Sequence, residues 1–174
     1  PDTFAIKDFI EKNAAKKAVI AGGGFIGVEM AENLKFAGLE VTLVEMADQV
    51  IAPIDYDMAV EVHKHIQSKG VTLELGAMLK SIHETDAGLS LTLQKNGTTE
   101  EHTADFLIMA IGVRPESKLA KEAGIALNPK GSIITDEYMK TSIADIYAVG
   151  DAIEVTDFVN GNKTYVPLAG PANK

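Results

Sequence analysis

The chain has 174 residues, 46% hydrophobic and 24% charged, enough for one domain's core with some excess. A formal net charge of −9 argues against nucleic acid or an anionic membrane as partner, and no apolar run of ~18 residues reads as a membrane span. The absence of cysteine excludes disulfides and thiol redox chemistry within these residues and fits a cytoplasmic protein.

Residues 1–16 set Phe4, Ile6, Phe9 and Ile10 among Lys7, Asp8, Glu11 and Lys12, which predicts a short amphipathic lead-in helix or linker. Ala18–Ala21 is wholly apolar, the pattern of a parallel strand buried on both faces. It runs into Gly22-Gly23-Gly24-Phe25-Ile26-Gly27, and a helical pattern starts at Phe25. That helix is expected to turn Ile26, Met30, Leu34 and Ala37 inward and to stop at Gly38. Val41–Val44 is a second buried strand, ending on Glu45. Asp55–Lys69 reads as a helix with Met58, Val62 and Ile66 inside, and 71–75 as a third strand. Right-handed crossovers make the three strands parallel.

The pattern then changes. Leu79–Glu84, Leu89–Leu93 and Thr98–His102 read as short antiparallel strands, with Leu89, Leu91 and Leu93 alternating with polar residues. Asn96-Gly97 tolerates positive φ at both positions and marks a hairpin. Phe106–Ile111 is again a buried strand, closed by Gly112. The expected fold class is α/β: a Rossmann-type parallel sheet whose last crossover is a three-stranded antiparallel meander.

A Gly-x-Gly-x-x-Gly loop between strand and helix has a physical use. Gly22 permits the tight turn, Gly24 lets a pyrophosphate approach the backbone, and Gly27 lets the helix pack close to the sheet. The helix N-terminus then faces the phosphates. Glu45 follows at about the twenty-residue distance expected of the acid that accepts from ribose hydroxyls. A carboxylate there repels a 2′-phosphate, at a cost on the order of 4 kcal/mol for charges ~4 Å apart at an effective dielectric of 20. Met46, Ala47 and Asp48 offer no cation for that phosphate, so NAD(H) is favoured over NADP(H). The bland alternatives are a ligand-free turn and a surface Glu. No metal site is expected, because His63 and His65 diverge on a helix and His83 and His102 are isolated. Asp55, Asp57 and Glu61 read as solvated charges, and Met30 and Met58 as packing residues.

GGGFIGVEMAENL, VTLVE, AIGVRPES and TSIADIYAVGDA together resemble the pyridine nucleotide-disulfide oxidoreductases, in particular the NADH oxidase, NADH peroxidase and coenzyme A-disulfide reductase branch. The resemblance implies residues 1–16 as lead-in, 17–138 as the NAD(H)-binding domain and 139–174 as the start of a returning FAD-domain segment. The first FAD half and a dimer-forming interface domain of a homodimeric parent would lie outside this chain, which reads as a fragment inactive by itself. Catalytic residues are not expected here. The cofactor-binding set is Gly22, Gly24, Phe25, Ile26, Gly27, Glu29, Glu45, Ile111 and Gly112 for NAD(H), with Phe25 and Glu29 near the nicotinamide–flavin junction. Gly150 and Asp151, after an expected buried strand Ile146–Val149, and Ala169 are assigned to FAD. The parent would pass hydride from NADH to flavin and then to a disulfide, peroxide or oxygen. Two other readings stay open: a non-catalytic NAD(H)-binding module, and a ferredoxin- or rubredoxin-reductase-like flavoprotein domain.

Overall fold

The computed structural model describes residues 2–168, and the chain clusters into two compact units, Pro1–Gly112 and Val113–Lys174. In the first, a parallel sheet has the order β3-β2-β1-β7, with β1 at Lys17–Ala21, β2 at Glu40–Glu45, β3 at Thr72–Leu75 and β7 at Phe106–Met109. The apolar runs explain the order. β1 is central, paired in parallel to β2 and β7, and its residues from Ala18 to Ala21 are all buried. Alternation along the strand sends Ala18 and Ile20 to one face and Val19 to the other.

Three helices, α1 (Asp2–Asn13), α2 (Phe25–Phe36) and α3 (Tyr56–Ser68), supply the core of the first face. There Ile20 and Leu43 are fully buried, each worth about 1.5–3 kcal/mol relative to exposure. Ile6 and Ile10 of α1 join this core, and Phe9 meets Phe106 edge-on at 5.5 Å between ring centroids. Phe4, expected on the apolar side, is exposed.

Leu34 and Ile66 are buried as expected and Val62 packs against the core, but the first turns of α2 and α3 present the neighbouring position inward. α2 buries Gly27, Ala31 and Leu34, while Ile26 and Ala37 are exposed and Met30 is half-buried against the core. The cause is steric: a Cβ on Gly27 would lie 1.8 Å from the Gly22 carbonyl oxygen, so only this face lets the helix come so close to the turn. α3 buries Ala59, His63 and Ile66, and Met58, expected to pack, is exposed because Ala59 takes the inner position.

On the other face, β4 (Ala77–Thr85), β5 (Gly88–Lys95) and β6 (Thr98–Ala104) form the antiparallel meander that connects β3 to β7. Leu91 and Leu93 point into a core with Val19 and Val44. Asn96 and Gly97 turn the second hairpin with φ of 51° and 81°. Lys95 ties the meander to β3 through Glu74 at 2.7 Å.

The second unit holds α4 (Lys118–Glu122), a 3-10 turn at Gly150–Ala152 and a two-stranded ribbon, β8 (Val155–Thr156) with β9 (Lys163–Thr164). Ala120, Ile133 and Ile153 form its small core. Ile146–Val149 is not the buried strand expected of it. Ile146, Tyr147 and Val149 are exposed, and the only ladder contact of this stretch among the described residues is the bridge Lys140–Tyr147. An apolar run without partner strands has no ladder to join.

Candidate nucleotide-binding cleft

The C-terminal ends of β1, β2 and β7 open into a cleft of about 540 Å³ within the first unit. Gly22, Gly24, Phe25, Glu45, Ile111 and Gly112 of the expected set all line it. Gly22 has φ of +113°, donates to the Val44 carbonyl at 2.8 Å, and leaves no space for a side chain, since a Cβ would sit 2.2 Å from the Ala110 oxygen. Its role is the turn itself. Gly24 is different: its φ is −72° and a Cβ there would meet nothing within 4 Å. No side chain is excluded by the protein, so the bare backbone at Gly24 faces open space.

Gly24 is also the N-cap of α2, with no side-chain cap and no acidic residue in the first turn. Among the described residues no acceptor takes the N–H groups of Gly24, Phe25, Ile26 or Gly27. These donors carry the positive end of the helix dipole. Glu45 lies beside them. Its Oε2 accepts from the Gly23 N–H at 2.5 Å and its Oε1 from the Ala47 N–H at 2.8 Å. The carboxylate is thus clamped between the glycine loop and the turn after β2.

Gly27 is buried under the loop and Ile26 and Glu29 are exposed on α2; none of the three lines the cleft. Gly150 and Asp151 belong to the second unit, where Gly150 has φ of +80° and Asp151 is exposed. Ala169 lies outside the described residues.

The wall that sequence reasoning missed is the segment 46–54. Met46, Gln49, Ile51, Ala52 and Pro53 line the cleft, and Ala77, Met78 and Leu79 of the meander complete it. The segment has no periodicity, and its only signal is the apolar run around Pro53. It is fixed by single bonds: Ile51 N–H to the Gly23 carbonyl at 2.8 Å, Gln49 Nε2 to the Ile54 carbonyl at 2.8 Å, and Val50 N–H to Nε2 of the buried His63 at 3.1 Å. Burial pushes the His63 pKa down, and the charge of Asp48 opposes that shift.

A parallel sheet with a glycine turn, an uncapped helix N-terminus and a clamped acid on the next strand defines an α/β domain suited to a dinucleotide. Residues 4–170 match the family described as pyridine nucleotide-disulphide oxidoreductase, and the chain belongs to that family. It is 41% identical over 172 residues, 98% of this chain and 37% of the relative, to an NADH oxidase from Methanocaldococcus jannaschii. The crystal structure of reduced Bacillus anthracis CoADR-RHD superposes with a TM-score of 0.90 at 50% identity, over 99% of this chain and 30% of that one. The water-forming NADH oxidase from Lactobacillus brevis, bound to NADH, superposes with a TM-score of 0.84 at 34% identity, over 98% and 36%. This chain's relatives also include a coenzyme A disulfide reductase from Staphylococcus haemolyticus, 33% identical over 99% of this chain and 38% of the relative. The chain spans under two-fifths of the length of the curated relatives it matches, 37% and 38% for the first two. Among the described residues no helix is long and apolar enough to cross a membrane.

Proposed function

We propose that residues 17–138 form the NAD(H)-binding domain of an FAD-dependent oxidoreductase, and that 139–174 begin its returning FAD segment. The observation that supports this most directly is the set of unpartnered N–H groups at Gly24–Gly27 next to the clamped Glu45 carboxylate. The residues fit the group. Bare backbone at Gly24 and the α2 N-terminus would hold the pyrophosphate, with Gly22 and Gly27 setting the turn and Ile26 lending an N–H. Glu45 would accept from the ribose hydroxyls and exclude a 2′-phosphate, favouring NADH over NADPH. Phe25, Ile111 and Gly112 would bound the nicotinamide end, with Glu29 on the same helix turned toward the flavin junction. Gly150, with its positive φ, and the exposed Asp151 carboxylate suit a polar contact to FAD; by resemblance alone, Ala169 would contact the isoalloxazine.

In the complete enzyme the nicotinamide would supply hydride to the flavin for a disulfide, peroxide or oxygen acceptor. This chain's part is to bind, orient and select the nucleotide. Calorimetric titration of the chain with NADH, NADPH and FAD in parallel tests the reading. Binding of NADH with weak response to the other two is expected, and tight FAD binding at the cleft would overturn it.

A further inference from the structure

The wall 46–54 is held in a costly conformation. Ile51 has φ of +50°, a left-handed region that a β-branched residue rarely occupies. The two consecutive amides leading into that strain are pinned: Val50 N–H by Nε2 of His63 at 3.1 Å, Ile51 N–H by the Gly23 carbonyl at 2.8 Å. The segment therefore joins α3 to the glycine loop, and five of its residues wall the cleft. His63 is 8% exposed, and its ring stands edge-on to Tyr56 at 6.4 Å between centroids. Because Nε2 accepts from Val50, the ring must be neutral with its proton on Nδ1. A proton added at Nε2 would set two donors against each other in a buried place.

We propose that His63 is a positioning residue for the nucleotide cleft: its neutral ring latches the wall 46–54 through Val50, and protonation at Nε2 releases the latch and weakens nucleotide binding. The effect on binding rests on the NAD(H) reading above; the latch itself does not. The groups that act on the ring are Asp48, from the wall, which favours the proton, and Tyr56, on the same helix, which packs against it. Burial acts against the proton, so release occurs below the ordinary imidazole value of 6.5.

The test uses this chain, its His63→Gln variant, whose side-chain carbonyl accepts from Val50 without titrating, and His63→Leu, which removes the acceptor. Hydrogen exchange at 46–54, corrected for intrinsic rate, and calorimetry with NAD+ are followed from above to well below pH 6.5. In the parent chain, protection at Val50 and Ile51 should fall as pH is lowered, and NAD+ affinity with it by roughly 2- to 10-fold, the value of one hydrogen bond. His63→Gln should keep both at low pH, and His63→Leu should show the reduced protection and the roughly 2- to 10-fold weaker affinity at all pH. Protection at Val50 that persists while the His63 ring protonates, or the same pH loss in His63→Gln, would overturn the latch. NAD+ binding in none of the three, with the exchange pattern intact, would overturn the nucleotide reading and leave the latch standing.

Discussion

The Gly23 amide donates to Oε2 of Glu45 at 2.5 Å, while Oε1 of the same carboxylate accepts from Ala47 at 2.8 Å. A Cβ on Gly23 would lie 3.0 Å from Cβ and Cγ of Glu45. The middle glycine of the loop thus makes room for the acid, and the acid restrains the loop. Two backbone donors fix the carboxylate, and under the proposed nucleotide reading this would lower the entropy lost when a ribose binds.

Replacing Glu45 with Ala removes both acceptors and the charge. NADH affinity is expected to fall about 10- to 100-fold, the range for hydrogen bonds to a charged group, while NADPH affinity changes far less. Unchanged selectivity in parallel titrations would refute the role of Glu45 as selector.

Gly22→Ala and Gly24→Ala should separate architecture from binding. At Gly22 the positive φ and a Cβ 2.2 Å from a backbone oxygen predict a loss above about 3 kcal/mol in urea unfolding. At Gly24 the φ is ordinary and the space empty. Stability should stay within about 0.5 kcal/mol of the parent, while NADH binding should collapse if, as proposed, the pyrophosphate approaches the backbone there. Full NADH affinity in Gly24→Ala would remove the pyrophosphate from that place.

Asp105 accepts from the amides of Lys16 at 2.6 Å and Lys17 at 2.8 Å, and these bonds hold its carboxyl below the ordinary value of 3.8. The sign follows from the depressed folded-state value. Stabilisation is complete above 3.8 and drains away as pH falls from there through the folded value. Asp105→Asn should cost about 0.5–1 kcal/mol near neutrality, since solvent screens the charge and the Asn carbonyl still accepts, and the gap to the parent should close in acid. Urea midpoints at the two pH values check this, and a gap that stays constant would contradict it.

Gly97→Ala places a side chain at φ of +81° in the β5–β6 turn. A loss of about 1 kcal/mol is expected in thermal unfolding. Because a Cβ there meets nothing within 4 Å, the effect should come from the backbone alone. A neutral substitution would show that the turn adopts another conformation.

The strands and the meander were legible because burial on one or two faces writes itself into the chain as alternation or as an apolar run; Leu91, Leu93 and Ala18–Ala21 all behave as their pattern says. The inner face of α2 was not, because Gly27 contributes no hydrophobic signal and yet decides which side meets the sheet. Ile26, four residues before Met30, carried the stronger apolar signal and lies exposed. The wall 46–54 was illegible for a different reason. Its shape depends on His63, 13 positions from Val50, and on Gly23, contacts that no local periodicity records. Ile146–Val149 shows the reverse: an apolar run reads as a strand only when neighbours exist to pair with it.

The central strand β1 receives its second partner late. Ala18 pairs with Val41 on one side but with Phe106 on the other, after the whole meander has intervened. During synthesis one edge of β1 stays bare until β7 emerges, whereas β4, β5 and β6 pair with chain neighbours and close early. Completion of the sheet is therefore the slow, long-range event, and Ala110–Gly112, at the end of β7, arrive with it. A ribosome-bound or truncated chain ending before Phe106 would carry an open β edge prone to self-association and only part of a cleft.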